Sequence, residues 1–127
     1  MDYFRLMNGN CVRVTDVRDD MWTIDMVAEG NYASFYDGEW WCVPGNDIAY
    51  EISALDMAVY MLESMKQMDW IDIMAAITSL KEKFKDELEF NIVSFGKVAD
   101  RPTFRIDIQE LGPSLNYTSV VWGCCTI

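Results

Sequence analysis

The chain has 127 residues, with 21 acidic side chains against 10 basic ones, a formal net charge of −11 and no histidine. The acid excess disfavours direct contact with nucleic acid or an anionic membrane and favours a basic surface as partner. The missing histidine removes the commonest general base and metal ligand.

With 51% hydrophobic residues, the chain reads as one folded domain over residues 1–127, able to build a core without metal or disulfide support. No run approaches the roughly 18 apolar residues that cross a bilayer. Met1-Asp2-Tyr3-Phe4-Arg5 lacks the basic and apolar regions of a signal peptide. The expected location is the cytoplasm, where the four cysteines are reduced thiols. Cys11 and Cys42 fall in apolar, strand-like stretches, and Cys124-Cys125 is a vicinal pair. With no C-x-x-C and no histidine, a zinc site is disfavoured.

The first 43 residues read as an antiparallel meander. Tyr3 to Met7 is a short apolar run closed by Asn8-Gly9-Asn10, a tight-turn signal. In Cys11 to Val17, Val12 and Val14 alternate with Arg13 and Thr15, and Asp19-Asp20 suits the next turn. From Trp22 to Ala28 the period is two, with Trp22, Ile24, Met26 and Ala28 on the face opposite Thr23, Asp25 and Val27. After Gly30-Asn31, Tyr32–Tyr36 and Glu39–Val43 flank Asp37-Gly38, which predicts a two-residue hairpin.

Pro44-Gly45-Asn46-Asp47 ends this sheet. Ile48, Ile52, Leu55, Val59 and Leu62 follow at helical steps, and Met57, Met61 and Met65 form a second stripe. This helix starts at Asp47 or restarts at Ser53, where Ser-x-x-Asp resembles a capping box. Asp69-Trp70-Ile71-Asp72 opens a second helix with Trp70, Ile73, Met74, Ile77, Leu80, Phe84 and Leu88 inward. Phe90–Phe95, a loop from Gly96 to Pro102, the alternating Phe104, Ile106 and Ile108, a turn at Leu111–Ser114 and a last strand Tyr117–Trp122 complete the chain. The order predicts an α+β fold, an antiparallel sheet of N-terminal meander and C-terminal strands packed on two central helices.

No Gly-x-Ser-x-Gly, P-loop or dinucleotide glycine pattern is present, and Cys124 and Cys125 lack a histidine partner. The expectation is a protein that is not an enzyme and needs no cofactor and no metal. Asp16, Asp19, Asp20 and Asp25 offer oxygen donors for Mg²⁺ or Ca²⁺, but their spacing matches no EF-hand loop, and turn residues with a solvated strand face are the preferred reading. The stripe of Met57, Met61, Met65 and Met68 reads as core filling rather than an adaptable groove. Adjacent Trp40 and Trp41 point to opposite faces of their strand, so one of them suits an exposed aromatic anchor.

Residues 1–52 hold ten acids and three bases, whereas residues 91–127 hold three of each. In size, acidity and lack of histidine the chain resembles, as a type rather than as a family, bacterial toxin-immunity proteins and phage-encoded anti-defence (anti-CRISPR-like) inhibitors of nucleic-acid-binding enzymes. That resemblance implies a small acidic module that binds and inhibits a basic partner such as a nuclease. Its partner-facing residues are expected to be Asp16, Asp19, Asp20, Asp25, Glu29, Asp37, Glu39 and Trp41. A homo-oligomeric accessory protein that pairs Tyr117–Trp122 across a symmetry axis is the alternative. A small metal-dependent enzyme at the aspartate cluster ranks third.

Overall fold

The computed structural model describes residues 2–30, 32–35, 41–66, 70–98, 101–113 and 116–122. The fold is α+β, with antiparallel sheets and two helices. The strands are divided between two sheets, where the sequence suggested one. Each sheet carries one helix and lies in its own unit of the chain, Met1–Gln67 or Met68–Ile127.

In the first unit β1 (Tyr3–Leu6), β2 (Cys11–Arg18) and β3 (Met21–Glu29) form the expected meander. Gly9 takes a φ of +92° in the first turn, a conformation that glycine adopts without a Cβ clash. β4 (Tyr32–Phe35) pairs with Met26–Glu29, and β5 (Cys42–Pro44) with Met21–Thr23. Both are antiparallel to β3, so they run in one direction along its edge and do not fold back on each other. This overturns the expected hairpin of Tyr32–Tyr36 with Glu39–Val43, because nine-residue β3 offers one edge long enough for both. Asp37 and Gly38 themselves lie outside the described residues.

A 3₁₀ turn, Gly45–Asp47, leads into β6 (Ile48–Ile52), which pairs with β1. The expected helical start at Asp47 is thereby corrected. Ile48, Tyr50 and Ile52 are good strand formers, and the free edge of β1 supplies a hydrogen-bonding partner. In a flat sheet β5 and β6 would be four strand spacings apart, ~19 Å. The four residues from Pro44 to Ile48 reach only about 14 Å, so the sheet curls until its edges approach.

Curling gives the sheet two cores. Its inner face holds Leu6, Val12, Val14, Ile24 and Val27, with Phe4, Trp22, Val43 and Ile48 packed against them. Its outer face carries Tyr3, Cys11, Met26 and Ala28, all buried where α1 (Ala54–Ser64) lies across the strands. Hence Met26, Val27 and Ala28 are buried in succession, and the simple alternation expected from Trp22 to Ala28 fails. Ser53 caps α1 as its capping box suggested, its Oγ accepting from the Asp56 N–H at 3.0 Å. Met57, Met61 and Met65 are fully buried, so the described part of the methionine stripe is core.

In the second unit α2 (Trp70–Lys83) ends in a turn whose Leu88 N–H donates to Phe84 O at 2.8 Å. Ile73, Ile77, Leu80 and Phe84 are buried, as are Phe90, Phe104, Ile106, Ile108 and Val120 on β7 (Leu88–Val98), β8 (Arg101–Glu110) and β9 (Tyr117–Trp122). The loop expected from Gly96 to Pro102 is shorter. β7 and β8 stay paired to Val98↔Arg101, across a bulge between Ser94 and Gly96.

Candidate functional site

The carboxylates singled out in the sequence centre on the hairpin of β2 and β3. Their turn is Asp19-Asp20, with Asp19 at φ +53°, a left-handed conformation that aspartate tolerates better than most residues. Beyond the turn the register is Arg18↔Met21, Val17↔Trp22 and Asp16↔Thr23, and β5 continues these rows as Pro44, Val43 and Cys42. The turn is tied down by Gly45, whose N–H donates to Asp20 O at 2.6 Å. A Cβ at Gly45 would stand 3.0 Å from Trp22 Nε1, so a larger residue there would have to push the indole aside. Trp22 itself packs edge-on against Phe4 at 5.1 Å between ring centroids.

Trp41 extends this end of the sheet. Its carbonyl accepts from the Ile24 N–H at 2.9 Å, in register with β3. Strand alternation places it on the side of Val43, and so with Trp22 and Val17. Trp41 is 45% exposed, Val17 50% and Met21 43%, so the hairpin end offers apolar surface beside its charges.

The carboxylates divide by what they touch. Asp25 is half-buried and bound by Arg13, with Nε to Oδ1 at 2.8 Å and the second pair at 2.5 Å. That bond pushes the Arg13 pKa up further from its already high value. Asp16 accepts from Arg18 Nε at 2.8 Å in an exposed pair, which is weak in solvent and open to exchange. Asp19 and Asp20 are exposed, and their carboxylates have no partner among the described residues. Glu29 is at the far end of β3, eight residues or ~27 Å from Met21, where its carbonyl accepts from Ser64 Oγ. Asp37 and Glu39 lie outside the described residues.

Of the expected surface, then, the structure gathers Asp16, Asp19 and Asp20 at the turn, places Trp41 three rows along the sheet on the Ile24 row, ties Asp25 to Arg13 and leaves Glu29 at the far end of β3. Val17 and Met21 were missed. As the apolar strand residues nearest Asp19-Asp20, they lie where a strand outruns its core, and that position was the available signal.

Among the described residues no three His, Cys, Asp or Glu side chains converge to hold a metal ion. Cys42 Sγ and Thr23 Oγ1 lie 3.7 Å apart. The arrangement is suited to docking: two carboxylates without a partner among the described residues stand at a turn, with exposed Val17 and Met21 at its base and the exposed Trp41 further along the same strand edge.

No family model, curated protein or solved structure matches the chain. Among the described residues no helix is long and apolar enough to cross a membrane. The first unit, residues 1–67, holds 12 of the 21 acids and four of the ten bases, so most of the negative field belongs to the unit that bears this hairpin.

Proposed function

We propose that the protein is an acidic interaction module that docks its β2–β3 hairpin end on a basic, nucleic-acid-binding protein, such as a nuclease, and inhibits it. The observation that supports this most is the exposed Asp19-Asp20 turn with exposed Val17 and Met21 at its base, and an exposed Trp41 three rows further along the same edge of β3. Complementary charge speeds encounter and sets orientation, while a large aromatic side chain supplies burial at the centre of an interface. The docking residues are Asp16, Asp19, Asp20, Val17 and Trp41. Asp25 is a structural residue in this reading. A negative surface of this kind competes for the Lys/Arg-lined groove that would hold DNA or RNA.

The test is capture by the immobilised full chain at low and high salt, followed by competition with duplex DNA and with RNA. The reading is supported when a captured protein is basic, is displaced by nucleic acid, and is lost with Asp19→Lys/Asp20→Lys and with Trp41→Ala. Capture that survives these substitutions, or that nucleic acid leaves untouched, overturns it.

A second reading rests on β9. Among the described residues it is an edge strand paired only to β8, and Tyr117–Trp122 contains no charge and no proline. The opposite edge, β7, carries Glu89 and a bulge, devices that block edge-to-edge pairing. β9 is therefore suited to pair with a second copy of the chain. Sedimentation at two concentrations tests this: a mass that doubles with concentration, and stays monomeric with Ser119→Pro, supports it.

A further inference from the structure

The first unit has four basic side chains, and three of them have a carboxylate partner: Arg13 with Asp25, Arg18 with Asp16 and Lys66 with Glu63. Arg5 is the exception. Among the described residues its guanidinium has neither a carboxylate nor a hydrogen-bond partner, although its unit is rich in acids. It lies instead over the Tyr60 ring, 5.2 Å from the centroid. An arginine held by an aromatic face keeps its fork of N–H donors available, and that fork matches a carboxylate.

Arg5 lines a cleft of about 270 Å³ between the outer face of the sheet and α1. This is close to the lower end of ligand cavities, ~300–1,000 Å³, and so suited to a small metabolite. Cys11 and Tyr50 line it from the sheet, and Asp56, Tyr60 and Glu63 from the helix. Asp56 does not reach Arg5 within ion-pair distance, and its carboxylate has no partner among the described residues. Glu63 is engaged by Lys66 at 2.9 Å. Arg5 and Asp56 both line this cleft, so the two charges share one space. The 56% exposed Tyr50 adds a ring for an apolar group.

Two opposite charges that share a cleft without pairing select a ligand that carries both. A phosphate dianion is repelled by Asp56 and Glu63, and a simple cation by Arg5. We propose that this cleft binds a free α-amino acid with an apolar or aromatic side chain. Its carboxylate lies on Arg5, its ammonium on Asp56 and its side chain toward Tyr50. This site is separate from the hairpin end and stands whether or not that surface docks a partner.

The test is calorimetric titration of the full chain with L-phenylalanine, with 3-phenylpropanoate (carboxylate only) and with phenethylamine (ammonium only). Saturable 1:1 binding of L-phenylalanine is expected, with each analogue at least about tenfold weaker, the scale of one lost charge-assisted hydrogen bond. Arg5→Gln and, separately, Asp56→Asn are expected to weaken L-phenylalanine by a similar factor. Asp56 is exposed on the first turn of α1, so its variant keeps the test valid where Arg5→Gln unfolds. No saturable binding at millimolar concentration, analogues that bind as well as the amino acid, or an affinity unchanged in Asp56→Asn would each overturn the proposal.

Discussion

Arg13 on β2 and Asp25 on β3 hold each other by two parallel hydrogen bonds, at the point where the ladder between their strands slips. Arg13 is opposite Met26 and Val14 opposite Ile24, so Asp25 is the unpaired residue of a bulge. The bulge re-aims its side chain toward Arg13. The two side chains are only 19% and 14% exposed.

Removing one partner strands a charge in a largely buried place. Asp25→Ala is therefore expected to cost about 3 kcal/mol, the scale of breaking a buried pair. The double variant Arg13→Met/Asp25→Leu should recover most of that loss. Urea unfolding followed by circular dichroism measures both. A single variant as stable as the parent would show that water already screens the pair.

The Ser53 cap makes a smaller prediction of the same kind. Its Oγ satisfies the Asp56 N–H, one of the four unpaired donors at the start of α1. Ser53→Ala should lower stability by ~1 kcal/mol, and Ser53→Asp should leave it nearly unchanged. The readout is the shift in urea midpoint at constant slope.

Local chemistry was legible in the sequence, whereas long-range pairing was not. The Ser53 capping box, the Asn8-Gly9 turn and the Asp19-Asp20 turn depend on neighbours within a few residues, and each is present. Ile48 and Ile52 fit a helical stripe equally well. What decided their state was the free edge of β1, more than 40 positions earlier in the chain. The Asp37-Gly38 signal failed likewise, because β3 had room for β4 and β5 on one edge. At the candidate site, exposure of Asp19 and Asp20 followed from turn chemistry. The capture of Asp25 by Arg13 needed a bulge that no spacing announces.

The two described cysteines should differ sharply in reactivity. Cys11 is buried beneath α1, and burial pushes its thiol pKa up, which suppresses the reactive thiolate. Cys42 is exposed at the hairpin end. Brief treatment of the folded protein with iodoacetamide, read by peptide mass mapping, should label Cys42 and spare Cys11 until denaturant is added. Equal labelling of both in the native protein would contradict the packing of α1 on the sheet.

The second unit carries a pH-dependent contact. Asp107 accepts from Arg105 Nε at 2.6 Å and from Ser119 Oγ at 2.6 Å, and these bonds hold its carboxyl below the ordinary value of 3.8. A carboxyl with a lower pKa when folded stabilises the fold above its unfolded pKa. That stabilisation disappears as pH falls through the folded value. Asp107→Asn keeps the side chain's size and an acceptor oxygen but removes the titration. The parent should therefore exceed this variant in urea midpoint at about pH 6, and the gap should narrow as pH falls below the ordinary carboxyl value of 3.8. Ser119→Ala should show a smaller gap with the same pH dependence, because it removes one of the three bonds on the carboxylate. A gap that persists unchanged into acid would mean that Asp107 stabilises the β8–β9 pairing through packing and not through its charge.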